Sequence, residues 1–193
     1  LQMTFPLVCA ATLTWSAVSP QAFGADAKPG LSEFVRDARE LWKGGRGSDS
    51  QRWPAPKPLL AADLSNAEFP EGAWKWEADV LVGYGIPGWK GGKGNLWTRE
   101  SYGNFVLNVD FKCVEKGNSG VFIRVGDADE WLETSTEVQM LEGTHDNPTY
   151  LTGALFDSAA PSRRPKIEAG TWHTLVVIAR GARISVFLDT ELV

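Results

Sequence analysis

Two short runs in the second half of the chain alternate between apolar and polar residues, and no other feature restricts the fold as strongly. They cover residues 118–124 and 137–142. A period of two is the pattern of a β-strand that is buried on one face and open on the other. The second run places Glu137 and Gln139 together on one face, with apolar residues on the other. The sequence therefore predicts two strands, each with one polar face.

The polar face of these two strands carries groups that suit a sugar ligand. In the first run, Arg124 shares a face with Gly120 and Phe122. If the two strands are neighbours, one sheet face presents Arg124 together with Glu137 and Gln139. A guanidinium, a carboxylate and an amide can hold and act on a polyhydroxylated molecule. We therefore expect a binding or catalytic site on this face.

From residue 59 onward, the rest of the chain consists of similar strand-like runs. Gly181 and Ala182 separate two strand-like runs and predict a short hairpin connection. No stretch between the runs has the helical period that a crossover helix needs. The pattern therefore predicts an all-β antiparallel sandwich of jelly-roll type. Strands are expected at residues 74–82, 94–98, 104–112, 118–125, 135–142, 152–156, 172–180 and 183–189.

The N-terminal segment predicts export. Residues 5–18 form an apolar run that is too short to cross a membrane. Small residues follow up to Ala27 and suit a signal peptidase. We therefore predict a signal peptide over residues 1–27, a secreted or periplasmic location, and no membrane span after its removal.

Two further regions complete the predicted organisation. Residues 28–58 should contain a short helix at 31–42, where apolar residues recur at helical spacing, and then a proline-rich linker. The sandwich domain should cover residues 59–193. Leu192 and Val193 look like the start of another strand, so we expect the closing strands of the sandwich to be missing from this chain.

Composition and charge exclude several classes of function. The net charge of -5, with no cluster of Lys or Arg, argues against a nucleic-acid partner. Nine Trp residues favour a carbohydrate ligand, because flat aromatic rings stack on sugar faces. Cys9 and Cys113 form neither a disulfide framework nor a metal-type spacing. We expect a small glycoside or an oligosaccharide as ligand. The sequence requires no cofactor, leaves a divalent metal open, and does not fix the oligomeric state.

A series of motifs in order along the chain resembles the 3-keto-disaccharide hydrolase domain family. The resemblance runs from about residue 59 to 193. It implies a concanavalin A-like jelly roll, export by bacteria, and cleavage of glycosides already oxidised to a ketone at C3. The position after Leu141 is commonly Asp in that family but is Glu142 here. The motifs are residues 63–66, 74–81, 94–98, 102–107, 118–124, 137–141, 152–155, 170–174 and 177–181.

The chemistry implied by this resemblance assigns roles to several residues. A C3 ketone acidifies the hydrogen on C2, so the glycosidic bond can leave by β-elimination, and water then adds to the unsaturated ketone. Glu137 is the expected base, or a ligand of a divalent metal. Arg124 suits the enolate, Gln139 the substrate hydroxyls, and the loop residue His145 an acid or metal-ligand role. Further candidate substrate contacts are Asn118, Ser119, Trp97 and Glu142.

Two other functions fit parts of the same sequence. The spacing of Glu137, Gln139 and Glu142 resembles the signature of laminarinase-type retaining β-glucanases, in which a β-bulge brings two carboxylates together. In that signature, however, the central residue is Asp. The other alternative is a non-catalytic glycan-binding module on the same fold. Its sugar-stacking residues would be Trp89, Trp97 and Trp131.

Overall fold

A computed structural model describes residues 9–15, 57–84 and 94–193, with the backbone alone for residues 9–15 and 57. The predicted helix at 31–42 and most of the predicted signal peptide lie outside these residues. The strands are β1 (Cys9–Trp15), β2 (Lys57–Pro58), β3 (Ala67–Glu68), β4 (Trp74–Glu77), β5 (Val80–Gly83), β6 (Trp97–Thr98), β7 (Phe105–Cys113), β8 (Asn118–Ile123), β9 (Thr136–Leu141), β10 (Trp172–Arg180), β11 (Arg183–Leu188) and β12 (Glu191–Leu192). The helical elements in this part of the chain are α1 (Trp131–Thr134) and a 3₁₀ turn at Pro148–Tyr150.

One large antiparallel sheet forms the first layer. Its strands lie in the order β12-β11-β10-β7-β1-β5-β4, with β2 paired to β1. The β10–β11 hairpin closes across Gly181 and Ala182 as predicted, with Arg180 opposite Arg183 and φ +52° at Gly181. Strand β1 lies between β7 and β5 and falls within the predicted signal peptide. Cleavage of this segment and export stay predictions.

Strands β8 and β9 pair with each other and form part of the second layer. Their apolar faces pack against β7, β10 and β11, as the alternation predicted. Phe111, Val109 and Val138 have no exposed surface at all. The shared core, whose burial supplies most of the stabilisation, contains Phe105, Leu107, Val109, Phe111, Cys113, Ile123, Val138, Met140, Leu175, Val177 and Leu188.

The prediction of one strand at residues 74–82 was wrong, because the chain turns in the middle of this run. Strands β4 and β5 are joined by a two-residue turn, and Glu77 pairs with Val80. Ala78 has a φ of +51°, a conformation that non-glycine residues rarely adopt. The turn contains neither Gly nor Asn, the residues from which a two-residue turn is usually predicted.

The segment at residues 152–156 runs beside β9 but is not a regular strand, contrary to the prediction. Gln139 N donates to Ala154 O (3.0 Å) and Phe156 N donates to Glu137 O (2.9 Å), as in a ladder. At Leu141, however, the partner is the side chain of Thr152, whose Oγ1 accepts from the N–H (2.8 Å) and donates to the carbonyl (3.0 Å). A φ of +84° at Gly153 further interrupts the strand geometry.

The described residues are therefore all-β, with two layers and almost no helix. The jelly-roll connectivity stays a prediction. No helix in the part of the chain that the structure covers is long and apolar enough to span a bilayer.

We expect Thr152→Val to destabilise the protein by about 1–3 kcal/mol, because it leaves the partly buried backbone N–H and C=O of Leu141 without the bonds that Thr152 makes to them. Chemical denaturation would measure the change in the free energy of unfolding. Thr171→Val is the control, since that residue is exposed. Equal effects of the two substitutions would contradict the bridging role of Thr152.

Candidate active site

The register between β8 and β9 brings the predicted polar residues onto one face. Phe122 pairs with Glu137 and Gly120 pairs with Gln139. Directly paired residues in an antiparallel sheet share a face. These four residues therefore lie on the side opposite the apolar core, as the alternation predicted.

The side chain of Glu137 lies across the backbone of Gly120. A methyl group built on Gly120 would come within 2.6 Å of Glu137 Cγ and 2.8 Å of Glu137 Cδ. Such distances are too short for real carbon contacts. Glycine at position 120 is therefore what allows Glu137 to lie flat against the sheet, and any larger residue would push the carboxylate away.

Burial changes the acidity of Glu137. Desolvation raises the pKa of this carboxyl from 4.5 to about 7. Among the residues that the structure describes, none forms a hydrogen bond or an ion pair with the Glu137 carboxylate. A carboxyl group that titrates near neutral pH and has no fixed partner can exchange a proton with a ligand, which is the requirement for a general base or acid.

Aromatic rings form a wall beside Glu137. The ring of Phe122, directly opposite Glu137, meets Trp131 edge-on with the ring centroids 4.4 Å apart. Trp97, in β6, lies 6.1 Å from the same Phe122 ring at a tilt of 51°. We call Trp97, Phe122 and Trp131 the aromatic wall. It exposes apolar ring surface next to a polar group, which is how sugar sites are commonly built.

The loop between β8 and β9 holds Trp131 in place. Gly126 N donates to Thr134 O (3.0 Å), which closes the loop at its base. Thr134 Oγ1 also accepts from Asp127 N (3.0 Å) and donates to Glu130 O (2.9 Å). These bonds tie both ends of α1 to the loop, so the position of Trp131 is fixed relative to the strands.

A second group of rings leads from the other edge of β9 to His145. Phe156, whose N–H bonds to Glu137 O, packs edge-on against Tyr150 at 4.5 Å. Tyr150 stacks on His145 at 4.9 Å. Asn147 N donates to His145 Nδ1 (3.1 Å), and Arg164 Nη2 donates to the carbonyl of His145 (2.9 Å). His145 is thus linked to Phe156, the neighbour of Glu137, through one stacked and one edge-on ring contact.

Two other predicted residues lie near the site in different settings. Arg124 is beyond the end of β8, which stops at Ile123 rather than at residue 125 as predicted. It has a φ of +56° and an exposed side chain, and no contact in the described part of the chain joins it to Glu137. Gln139 shares the face of Glu137 but is 1% exposed, and its Oε1 accepts from Met140 N (3.0 Å).

The structure does not bring all of the remaining candidates to this face. Asn118 is on it, two positions from Gly120, but Ser119 is buried and alternates to the core side. Glu142 Oε2 accepts from Lys116 N (2.9 Å) at the turn between β7 and β8. At about 3.3 Å per residue, Glu142 lies roughly 16 Å along the strand from Glu137.

The sequence did not reveal the roles of four residues. These are the glycine that accommodates Glu137, the central ring of the aromatic wall, and the two rings between β9 and His145, namely Gly120, Phe122, Phe156 and Tyr150. A glycine on the polar face of a strand is the one local signal, since it marks a close approach to the backbone. The ring contacts join distant parts of the chain and have no local signal.

A metal site is not formed by the described residues. Within residues 57–84 and 94–193 no group of three or more His, Cys, Asp or Glu side chains could hold an ion.

Comparison with known families agrees with the motifs. The family described as the 3-keto-alpha-glucoside-1,2-lyase-like domain matches residues 39–193, which is most of the chain. The chain belongs to this family. It is the 3-keto-disaccharide hydrolase family that the motifs resemble, so that resemblance is confirmed. No curated protein matches the sequence.

Two solved structures from Parabacteroides distasonis ATCC 8503 are similar, each described as a "putative glycosyl hydrolase". The first has a TM-score of 0.64 and 26% sequence identity, and the match covers 71% of this chain and 69% of the other. The second has a TM-score of 0.58 and 21% identity, with 67% and 66% covered, and this similarity shows the fold alone.

We expect Gly120→Ala to displace the Glu137 carboxylate and to lower activity by at least about tenfold, which corresponds to about 1.4 kcal/mol. A crystal structure of the variant would show the displacement. Gly103→Ala is the matched control, because a methyl group there meets nothing within 4 Å. A variant with Glu137 in its original position would contradict the close packing on Gly120.

We expect Glu137→Gln to raise the free energy of unfolding above that of the wild type at pH 8, and to change it much less at pH 4. Folding raises the pKa of Glu137, so the folded state binds its proton more tightly and loses stability as the pH rises from about 4.5 to about 7. Gln removes this loss, which is on the order of 3 kcal/mol. Denaturation at both pH values would measure the difference between variant and wild type. Glu115→Gln is the exposed control, and a gain that does not depend on pH would contradict the burial of a charge.

Proposed function

We propose that the protein is an exported carbohydrate-active enzyme that cleaves 3-keto-glycosides by β-elimination followed by hydration. Membership of the family supports a carbohydrate-active, hydrolase-like function. The observation that supports the elimination chemistry is the half-buried Glu137, which has a pKa of about 7 and no partner among the described residues, and which lies opposite a ring of the aromatic wall. The signal-like segment at residues 1–27 supports export.

In this proposal Glu137 removes the proton from C2 of the keto sugar. The electron pair of the C2–H bond forms the C1=C2 double bond, and the bond between C1 and the glycosidic oxygen breaks. The leaving oxygen takes a proton. Water then adds across C1=C2, with OH on C1 and H on C2, which gives the free 3-keto sugar. The net reaction is hydrolysis, and the ketone is retained throughout.

The pKa of Glu137 matches this task. A carboxylate with an ordinary pKa is a weak base toward a carbon acid, whereas a pKa near the working pH gives a stronger base that is still about half ionised. The lack of a fixed partner leaves both carboxylate oxygens available to the substrate. The aromatic wall excludes water from one side, which strengthens electrostatic interactions with the reacting atoms.

His145 is the proposed acid for the leaving oxygen. Its Nδ1 lies 3.1 Å from Asn147 N and 3.3 Å from Asn147 O, so the backbone of Asn147 engages this nitrogen. Nε2 is the nitrogen proposed to face the leaving oxygen. Arg124 is proposed to stabilise the enolate. It is exposed and follows the end of β8, two positions after Phe122, which pairs with Glu137.

The geometry supports a retaining glycanase less well. Such enzymes need two carboxyl groups about 5–5.5 Å apart, whereas the Glu142 carboxylate is bonded to the backbone of Lys116 at the far end of β9. A non-catalytic binding module is the second candidate, and the aromatic wall favours it. The two candidates differ in whether Glu137 acts on the ligand or only binds it.

The test is a matched pair of substrates, a glucoside and its 3-keto derivative, with aglycone release as the readout. We expect release from the keto form alone. Glu137→Gln should lower it by at least about 100-fold, because a general base contributes roughly 10²–10⁴. Glu115→Gln, at an exposed site, should leave it unchanged. For the wild type, kcat/KM should rise with pH and level off above about pH 7, as the base loses its proton.

Other outcomes would change the proposal. Release from the ordinary glucoside would contradict elimination. Full activity of Glu137→Gln would show that Glu137 is not the general base. Binding of both compounds without release would favour the binding module. Repeating the assay with a chelator decides whether a divalent metal takes part.

A further inference from the structure

The carboxylate of Glu137 lies over the neighbouring row of the β8–β9 pair rather than over its own. Glu137 pairs with Phe122, and the next row on this face consists of Gly120 and Gln139. A methyl group on Gly120 would come within 2.6 Å of Glu137 Cγ and 2.8 Å of Glu137 Cδ, so the side chain crosses to the Gly120 row. Directly paired residues have Cβ positions about 4.5–5.5 Å apart. The Glu137 carboxylate therefore lies beside Gln139.

The side-chain amide of Gln139 has its oxygen engaged and its nitrogen without a partner. Oε1 accepts from Met140 N (3.0 Å), which fixes the orientation of the amide. In the described part of the chain, no acceptor bonds to Nε2. Gln139 is 1% exposed, and Nε2 is not one of the fully enclosed polar atoms, so the little surface that the residue retains includes this nitrogen. A buried donor of this kind is costly unless a ligand oxygen accepts from it.

The other candidate donor lies in a different direction. Arg124 follows the end of β8, two positions after Phe122, on the opposite side of the Phe122–Glu137 row from Gly120. The Glu137 carboxylate leans toward Gly120, and thus away from the backbone position of Arg124. The donor next to the carboxylate is therefore the neutral amide rather than the guanidinium.

We propose that Gln139 is a catalytic residue, whose Nε2 donates to the ketone oxygen of the substrate as the enolate forms. This inference rests on the proposed function. The ketone carbon C3 is bonded to C2, the carbon that loses its proton. The oxygen that becomes negative thus lies close to the base, and its donor must lie beside Glu137. An enolate oxygen accepts more than one hydrogen bond, so Arg124 can add its charge from the other side.

The step balances without a further reactant. Glu137 takes the proton from C2, the electron pair of the C2–H bond forms C2=C3, and the ketone oxygen becomes the enolate oxygen that accepts from Nε2. The pair then moves to C1=C2, the ketone is restored, and the bond from C1 to the leaving oxygen breaks. A donor whose bond strengthens as this charge develops lowers the barrier.

A neutral donor suits a base of this type. A cation in contact with the Glu137 carboxylate would stabilise its ionised form, lower its pKa and make it a weaker base. The amide of Gln139 carries no charge, so it can serve the enolate oxygen and leave the proton affinity of Glu137 high. The base and the donor can therefore act side by side on adjacent atoms of one sugar.

The experiment measures removal of the C2 proton without cleavage of a glycosidic bond. The probe is the 3-keto derivative of 1,5-anhydroglucitol, which has hydrogen in place of an aglycone at C1. Proton NMR in D₂O follows exchange of the C2 hydrogen for deuterium, with the rate in buffer alone subtracted. We expect exchange with the wild type and its loss in Glu137→Gln. Gln139→Met should lower the maximal exchange rate by at least about tenfold, since a single donor to an oxyanion contributes roughly 10²–10³.

Two controls separate a catalytic role from a structural one. Thr152→Val weakens the bonds at Leu141 on the same strand but leaves the amide in place, so its exchange rate should stay within about twofold of the wild type. Unoxidised 1,5-anhydroglucitol has no ketone, so its inhibition constant should change by less than about twofold in Gln139→Met. Gln139→Leu repeats the test with an apolar side chain of another shape.

The outcomes distinguish this inference from the proposed function. Exchange that is lost in Glu137→Gln but unchanged in both Gln139 variants would leave the reaction in place and overturn the donor. Loss of exchange together with an equal loss of affinity for the unoxidised sugar would mean that Gln139 binds hydroxyl groups, and would also overturn it. If the wild type neither exchanges the probe nor cleaves 3-keto-glycosides, the proposed function is wrong and the donor role is wrong with it.

Discussion

The pairing of β8 with β9 fixes the geometry of the candidate site, because a shift of one residue in this pair would turn Glu137 toward the core. In the observed register Glu137 lies opposite Phe122 and rests on Gly120. The apolar side of the same strands fills the core with Val138 and Met140. The core thus enforces the register, and the register in turn places the carboxylate. The energy that holds the base in position comes from hydrophobic burial on the other side of the sheet.

Glu137 itself is held without a hydrogen bond from any described residue. Its position depends on packing against Gly120, and its proton affinity depends on removal from water. Both effects act in the same direction, since the contact that positions the side chain also excludes solvent from it. Such an arrangement costs stability at alkaline pH, and functional sites commonly carry costs of this kind.

Much of this fold could be predicted because hydrophobic alternation is a local signal. The apolar–polar alternation at residues 104–112, 118–124 and 137–142 correctly predicted three strands and which face of each strand is buried. The turn at Ala78 was missed because no Gly, Pro or Asn marks it. The irregular segment at 152–156 was missed because a Thr side chain replaces the backbone there. For the site, the sequence placed Glu137 and Gln139 on one face. It could not show the desolvation of Glu137 or ring contacts such as Trp97–Phe122, which depend on residues far apart in the chain.

The loop that carries Trp131 is also the covalent connection between β8 and β9. Its internal bonds close on Gly126 and Thr134, so the loop is a unit that joins the strands without contributing to their register. Insertions or replacements within it would alter the aromatic wall while the Gly120–Glu137 contact stays the same. Evolution could therefore diversify what this scaffold accepts by exchanging one loop, with the reacting carboxylate left untouched.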